Sequence, residues 1–353
     1  MVFANVGALD HRKTGALPVA IYRCEVKNIS RGQGRSCVAA AAYRSASELQ
    51  DERQQLTHDY ARKTGVEHAE IVAPDGAPSW ALDRQSLWNR IDAAEKRKDA
   101  RTAKEVLVAL PRELTLAQQV ELVRDFARTE FASKGLVADV SIHAPDALDG
   151  GKQPHAHILI ATRALEADGF AKGKDKSLDQ PQGIEAIRER WATHANHSLE
   201  RAGLEQRLDH RSLEKQRIAA LQRGDEIEAI RLDRAPEPKI GPVAAAMVRT
   251  GRSEEAHAWR DASEVRKDRG WRDRLAETLR TVQAKTLELG AEIGSKARQL
   301  AEAAKNFLDL PEVAAAGQAL QWREAENALR QRQDSQQRAR KQTLSREWKG
   351  FSR

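Results

Sequence analysis

The 353-residue sequence is poor in several features that would place it in common classes of protein. Its two cysteines, Cys24 and Cys37, cannot form a disulfide scaffold, and their spacing matches no zinc motif. Aromatic residues make up only 5% of the chain, which is little for one large globular core. No apolar run approaches the roughly 18 residues that a membrane-spanning helix needs, and no signal peptide is recognisable. These absences favour a soluble cytoplasmic protein of about two domains.

Charge, by contrast, is abundant. Charged residues make up 31% of the chain, and 59 Lys and Arg against 52 Asp and Glu give a net charge of +7. A basic chain is suited to a polyanionic partner such as a nucleic acid.

The most informative stretch runs from Val137 to Thr162 and has the pattern of two strands around a polar turn. In its first part, polar and apolar residues alternate up to His143, which is the period of a half-buried strand. The tract PDALDGGKQP is rich in Pro, Gly and Asp and predicts a turn. The following run, HAHILIA, places His155 and His157 on one face and apolar residues on the other.

Pairing of these two strands as a hairpin would bring His143 to the same face as His155 and His157. Three imidazoles placed in this way are a ready set of ligands for a divalent metal ion, and they leave coordination positions open for a substrate. The alternative is a solvated hairpin edge that happens to carry histidines. Three of the ten histidines of the chain fall within these fifteen residues, which favours the metal site.

The N-terminal part of the chain predicts a strand, a basic loop and a helix. Residues 1–17 show no period and are predicted to be disordered, whereas residues 21–28 have the composition of a strand. The glycine-containing loop SRGQGRS then offers Arg31 and Arg35 as candidate phosphate contacts. Ser36 is a suitable N-cap for the alanine-rich run VAAAAYRSASEL, which carries Tyr43. Tyr43 is either a site residue or an ordinary boundary residue of this helix.

The middle of the chain predicts further strands and helices. Residues 104–110 have the alternating pattern of a strand and include Glu105. Glu105 either keeps the edge of the strand solvated or is a site residue. Thr115 and Gln118 form a capping box that opens an amphipathic helix. Further helices are predicted over 82–94 and 183–202, and polar loops over 51–62 and 169–180. The order of elements predicts an α+β fold in which helices pack on one face of the sheet.

The C-terminal part of the chain changes character. We interpret residues 217–259 as a linker with short helices and residues 260–353 as a mostly helical, basic region. Its last stretch, from Arg323 to Arg353, either contacts nucleic acid or is a solvated helical surface.

A three-histidine metal site, a tyrosine and a basic surface together fit phosphodiester chemistry. The metal ion would act as a Lewis acid on a phosphate oxygen, and the tyrosine hydroxyl would attack phosphorus to give a covalent phosphotyrosine. Of the three tyrosines, Tyr22 alternates with apolar residues and is expected to be buried, and Tyr60 is the second choice because Asp59 precedes it. Tyr43 is the preferred nucleophile, and Arg31, Arg35 and Arg44 would hold the DNA backbone.

Several motifs in this order resemble a known family. The tetrapeptide PHAH, which opens an apolar strand, resembles the histidine-hydrophobic-histidine motif of the HUH endonucleases. The tracts VAIYRCEVKNISRGQGRSCVAAAAYRS, LTHDYARKTGVEHAEIVAPDGAP, EVLVALPREL, PHAHILIATR and LDHRSLEKQ are similar to the MobA/MobL family of plasmid relaxases. The resemblance runs from about Val19 to Gln216.

This resemblance implies a relaxase domain over residues 19–216, with a central antiparallel sheet flanked by helices. It implies that Tyr43 is the nucleophile and that Glu105 is an acidic site position, although Leu107 stands where several relatives carry a second carboxylate. The implied metal ligands are His143, His155 and His157. The implied cofactor is Mg²⁺ or Mn²⁺, and residues 1–18 are expected to be an upstream extension that is not native.

The implied activity is nicking of one DNA strand at a plasmid origin of transfer, with a covalent 5′-phosphotyrosyl intermediate that is later religated. The implied partners are single-stranded DNA at that origin, accessory proteins of the relaxosome and a coupling protein. Two other functions remain open: a replication initiator that uses the same chemistry, and a non-catalytic DNA-binding scaffold.

Overall fold

The computed structural model describes residues 22–147, 151–167, 169–253 and 256–290, together with isolated positions between 302 and 335. The predicted extension over residues 1–18 and most of the basic tail lie outside the described residues. The chain divides into two compact units between Arg269 and Gly270. No helix in the described part of the chain is both long and apolar enough to cross a membrane.

The first unit is built around a five-stranded antiparallel sheet, as predicted. The strands of the unit are β1 (Cys24–Ser30), β2 (Glu48–Asp51), β3 (Leu56–Asp59), β4 (Val66–Val72), β5 (Arg101–Ala109), β6 (Ala138–His143), β7 (His155–Ala161), β8 (Arg163–Glu166) and β9 (Gly169–Lys174). The spatial order in the central sheet is β1-β5-β7-β6-β4, and β2 with β3 and β8 with β9 form two separate two-stranded ribbons. The two histidine-bearing strands are therefore β6 and its neighbour β7, inside the sheet.

Eight helices are described. They are α1 (Cys37–Ser45), α2 (Arg84–Ala93), α3 (Leu116–Glu130), α4 (Pro181–Arg201), α5 (Leu213–Gln222), α6 (Glu226–Leu232), α7 (Pro242–Arg249) and α8 (His257–Gly290). The predicted N-cap is confirmed, because the Ser36 side chain accepts a hydrogen bond from the backbone of Ala39. The predicted capping box of Thr115 and Gln118 opens α3. The predicted boundary between residues 259 and 260 falls inside α8.

The prediction that helices pack on one face of the sheet is wrong. Helices α3 and α4 cover one face, where Phe126 and Trp191 pack on Val106, Val140 and Ile158. Helices α1 and α2 cover the other face in a second core. Because both faces are covered, every residue of β6 is buried, whereas its alternating pattern predicted a half-buried strand.

Several local elements also differ from the prediction. Helix α1 ends at Ser45, because Ala46 adopts a left-handed conformation (φ 51°) and closes the last turn with a hydrogen bond to Ala42. Leu49, which was predicted to lie on that helix, is a buried residue of β2. The predicted loops over 51–62 and 169–180 contain β3 and β9, and β4 was not predicted. A two-stranded ribbon buries little of either side, so its sequence carries no clear apolar alternation.

Candidate active site

The histidine cluster is produced by the register of β6 and β7. His143 lies directly opposite His155, and Ser141 lies opposite His157. Since alternate residues of a strand point to the same face, all three imidazoles lie on the face that α1 covers. The predicted hairpin and the predicted common face are therefore confirmed.

The three imidazoles are close enough to share one metal ion. One nitrogen from each ring can be chosen so that all three nitrogens lie within 4.8 Å of one another. The ring centroids of His143 and His157 are 4.7 Å apart, and those of His155 and His157 are 5.1 Å apart. No other group of three or more possible metal ligands of this kind occurs among the described residues.

Oxygen atoms around the cluster orient the rings. Nδ1 of His155 lies 2.9 Å from the carbonyl oxygen of Gln153, and Nδ1 of His157 lies 2.5 Å from Oε1 of Glu105. Donation of a proton from each Nδ1 leaves the Nε2 lone pair of each ring free to bind metal. In His143, it is Nε2 that lies 2.6 Å from the carbonyl oxygen of Arg44. These contacts set the tautomers that a metal site requires.

The rings are also in the neutral state that metal binding requires. Burial lowers the pKa of His143 to about 3 and that of His155 to about 4. Burial likewise lowers the pKa of His157, although the hydrogen bond to Glu105 opposes this effect. All three imidazoles are therefore unprotonated at neutral pH.

Glu105 is the buried acid that holds His157. Its side chain is 3% exposed, and its Oε1 also accepts a hydrogen bond of 2.7 Å from Nε of Arg44. Burial raises the pKa of a carboxyl group, but the hydrogen bonds from His157 and Arg44 outweigh this effect and hold the pKa of Glu105 well below its usual range. Leu107 lies opposite His157 on the neighbouring strand and is itself buried. A carboxylate–histidine pair of this kind orients a metal ligand.

Tyr43 lies in the last turn of α1 and is 47% exposed. Its ring packs edge to face against Tyr60, with 5.2 Å between the ring centroids. The next residue, Arg44, provides the carbonyl oxygen that contacts His143. The last turn of α1 therefore carries the exposed Tyr43 and also contacts the histidine cluster through the backbone of Arg44.

The other two tyrosines differ from Tyr43 in their surroundings. Tyr22 packs against the core beneath α3 and α4, on the opposite face of the sheet from the histidines. Its hydroxyl donates a hydrogen bond of 3.0 Å to the carbonyl oxygen of Arg188, and burial raises its pKa. Tyr22 is half-buried, so the burial predicted for it is confirmed only in part. Tyr60, in contrast, shares the site with Tyr43.

The three arginines that the sequence offered as phosphate contacts are in different environments. Nε of Arg31 lies 3.1 Å from Oδ1 of Asp92, and its guanidinium also donates to the carbonyl oxygens of Glu95 and Arg97. Arg44 reaches the site, but it is paired with Glu105. Arg35 is the exposed one of the three. Arg31 and Arg44 are each paired with a buried carboxylate, which requires a cationic partner.

Lys63 is a site residue that sequence reasoning missed. Its Nζ lies 4.0 Å from the centroid of the Tyr43 ring and donates a hydrogen bond of 2.8 Å to the Tyr43 carbonyl oxygen. Burial, together with the charge of Arg44, lowers its pKa to about 8. In the sequence, Lys63 is notable only because it follows Tyr60 by three positions, and no local pattern predicts its contact with Tyr43.

An antiparallel sheet with a three-histidine cluster beside a tyrosine-bearing helix is the architecture that the sequence motifs implied. The model of the MobA/MobL family matches residues 35–250, which is more than half of the chain. The chain belongs to the MobA/MobL family, and the resemblance drawn from the motifs is confirmed.

Individual relatives agree with this assignment. The chain is 37% identical over 260 residues to mobilization protein MobL of Acidithiobacillus ferridurans, covering 65% of this chain and 64% of that protein. It is 35% identical over 230 residues to conjugal transfer protein TraA of Agrobacterium fabrum, covering 57% of this chain but only 20% of TraA. The chain thus spans less than two thirds of these relatives.

A solved structure shares the fold. It comes from work on the molecular basis of vancomycin resistance transfer in Staphylococcus aureus. The match has a TM-score of 0.50 at 29% identity and covers 55% of this chain and 100% of that chain.

Proposed function

We propose that this chain is a relaxase that nicks one DNA strand at a plasmid origin of transfer and later rejoins it. The observation that carries the proposal is the contact between α1 and the cluster, in which His143 lies 2.6 Å from the carbonyl oxygen next to Tyr43. This contact joins the helical turn that carries the exposed Tyr43 to the cluster of three neutral imidazoles. The names of the relatives, which are mobilization and conjugal transfer proteins, support the same function.

His143, His155 and His157 would hold the metal ion, and they fit it because they are neutral, close together and oriented by oxygen atoms. When bound, a divalent ion would act as a Lewis acid on the scissile phosphate and offset its charge. Imidazole nitrogen binds transition-metal ions more strongly than it binds Mg²⁺. The three-histidine donor set therefore favours Mn²⁺ over Mg²⁺.

The reaction would be a transesterification at phosphorus. Oη of Tyr43 attacks the scissile phosphate, one P–O bond forms to the phenol, and the bond from phosphorus to the 3′ oxygen breaks. The phenol proton passes to solvent water, to which the exposed ring has access, and the 3′ oxygen takes up a proton. The bond energy is conserved in the 5′-phosphotyrosyl link, and the reverse reaction rejoins the strand.

Glu105 and Arg44 would position the site. Glu105 fixes the ring of His157, and Arg44 neutralises Glu105 while its carbonyl oxygen contacts His143. One residue thus links the nucleophile helix to two of the three histidines. We expect the partners to be single-stranded DNA at the origin, relaxosome accessory proteins and a coupling protein, and the location to be the cytoplasm.

A covalent adduct tests this function. The chain is incubated with a 3′-labelled single strand that carries the origin of transfer of its own plasmid, with Mn²⁺ or with a chelator, and is then denatured. We expect label on the protein only with the metal ion, because the fragment beginning at the 5′ phosphate stays attached. An adduct only with a replication-origin strand would indicate an initiator. Binding without any adduct would indicate a non-catalytic scaffold.

A further inference from the structure

The side chain of Lys63 is held against the proposed nucleophile at several points. Its Nζ donates to the Tyr43 carbonyl oxygen at 2.8 Å and lies over the Tyr43 ring. Its backbone N–H donates to the Tyr60 carbonyl oxygen at 2.9 Å, and the backbone N–H of Tyr60 donates to Ser47. The lysine is therefore fixed in a turn beside Tyr43 and does not extend into solvent.

The charge of Lys63 is unbalanced, unlike the charges of Arg44 and Arg31. Arg44 is paired with Glu105 at 2.7 Å, and Arg31 is paired with Asp92 at 3.0 Å. Within the described part of the chain, no carboxylate lies within ion-pair distance of Lys63. A half-buried ammonium group without a counter-ion is costly, and such a group favours the binding of an anion.

The ammonium group lies against the turn of α1 that contacts the histidine cluster. Its Nζ donates to the carbonyl oxygen of Tyr43, and the carbonyl oxygen of the next residue, Arg44, lies 2.6 Å from Nε2 of His143. An anion that contacts both Tyr43 and a metal ion held by the histidines would lie within reach of this charge.

We propose that Lys63 binds the scissile phosphate of the DNA strand and holds it against Tyr43 for attack. An ammonium group has three N–H donors; one is used on the Tyr43 carbonyl oxygen, and two remain for the non-bridging phosphate oxygens. Negative charge grows on these oxygens in the transition state, and a fixed cation stabilises it. Lys63 stays protonated and makes no covalent bond. The inference rests on the proposed relaxase function.

Substitutions at Lys63 test the role of its charge. Lys63→Met should slow adduct formation about 10²- to 10³-fold at saturating strand. Lys63→Arg should retain much of the rate, since it keeps the cation. The matched control is Arg62→Met, which removes a neighbouring exposed cation and should change the rate less than about threefold. Equal losses in Lys63→Met and Arg62→Met would overturn the proposal, because they would indicate general attraction of DNA.

A second measurement separates phosphate binding from support of the Tyr43 backbone. In Tyr43→Phe protein, which cannot form the adduct, strand affinity is measured with a normal phosphate or a neutral methylphosphonate at the scissile position. Lys63→Met should weaken binding of the normal strand about tenfold or more and leave binding of the methylphosphonate strand unchanged. Equal weakening of both strands would mean that Lys63 only supports the fold.

A third measurement does not depend on cleavage. Acetylation of individual lysines is followed by mass spectrometry with and without the origin strand, and we expect the strand to protect Lys63 but not the exposed Lys98. Protection without any adduct in the native protein would refute the relaxase function and leave phosphate binding by Lys63 standing. An adduct without protection of Lys63 would refute this inference alone. The absence of both would refute both proposals.

Discussion

The strands of the central sheet present different kinds of side chain on its two faces. In β7, Ile158 and Ile160 pack under α3 and α4, whereas His155 and His157 point to the opposite face, which α1 covers. One face is filled by aliphatic and aromatic side chains. The other combines an apolar core with a row of polar groups. Strand alternation thus separates a stabilising face from a candidate chemical face within single strands.

Two buried carboxylates on the chemical face, those of Asp139 and Glu105, are paired. Asp139 accepts hydrogen bonds from Arg84 and from the indole of Trp88 at 2.8 and 2.9 Å. Glu105 is paired with Arg44 and His157. Since an unpaired buried charge is strongly destabilising, these partners allow polar residues to lie inside the fold. Changes on this face should therefore alter chemistry, and changes on the other face should alter stability.

Removal of one oxygen atom on the chemical face should have the largest effect. Tyr43→Phe keeps the ring contacts with Tyr60 and Lys63 but removes the attacking hydroxyl, so we expect the covalent adduct to disappear while strand binding changes little. Denaturing gels and mass spectrometry of digested adduct measure this. Tyr22→Phe and Tyr60→Phe are the controls and should still form the adduct. Nucleotide on the peptide that contains Tyr60 would refute the assignment.

Loss of a metal ligand should come next. His157→Ala and His155→Ala each leave two imidazoles, and we expect adduct formation to fall by about 10²-fold or more because the Lewis acid is lost. Chelation of the native protein should give the same loss, reversed by Mn²⁺. Thermal unfolding should show that the variants still fold. Full activity of both variants in the presence of chelator would end the case for a metal.

A change on the opposite face should lower stability and leave the rate of adduct formation unchanged. Phe126 is buried and packs edge to face on Trp191, with 5.0 Å between centroids. Phe126→Ala should lower the free energy of unfolding by about 3–5 kcal/mol. Adduct formation per folded molecule should stay near the native value, as measured at a temperature at which the variant is folded. A fall in rate without a fall in stability would contradict the division between the two faces.

A smaller effect is expected at the acid that orients His157. Glu105→Gln preserves the shape of the side chain but removes the charge that favours the ligand tautomer. We expect metal affinity to fall about 10- to 100-fold. Titration with Mn²⁺, followed by adduct formation, measures the shift, and excess metal should restore most of the rate. A loss that no concentration of metal rescues would indicate a direct chemical role for Glu105.

The smallest effect is expected in the C-terminal tail. Deletion of the region from Arg323 to Arg353, which lies largely outside the described residues, should weaken binding of origin and unrelated strands alike and flatten its salt dependence. Adduct formation with a saturating short strand should persist. Unchanged binding at low and at high salt would mean that the tail is a solvated helical surface.

The placement of several candidate site residues could be predicted from local sequence patterns. The period-2 pattern of HAHILIA was sufficient to place His155 and His157 on one face, whereas His143 could be added only on the condition that the two strands pair, which the register of β6 and β7 confirms. The capping signals at Ser36 and Thr115 located two helices. All of these signals are local, because they depend on residues a few positions apart along one strand or one turn.

The pairing of residues that are distant in the chain could not be predicted from the sequence. Glu105 and Arg44 are 61 positions apart, and their contact decides that Arg44 holds a carboxylate and is not a free phosphate contact. Lys63 reaches Tyr43 across 20 positions, and the second layer of helices buries strands that alternation predicted to be half exposed. Such contacts depend on the packing of elements against each other. The spacing of residues along the sequence does not predict this packing, because the free energy of a contact depends on burial and on charges brought from elsewhere in the chain.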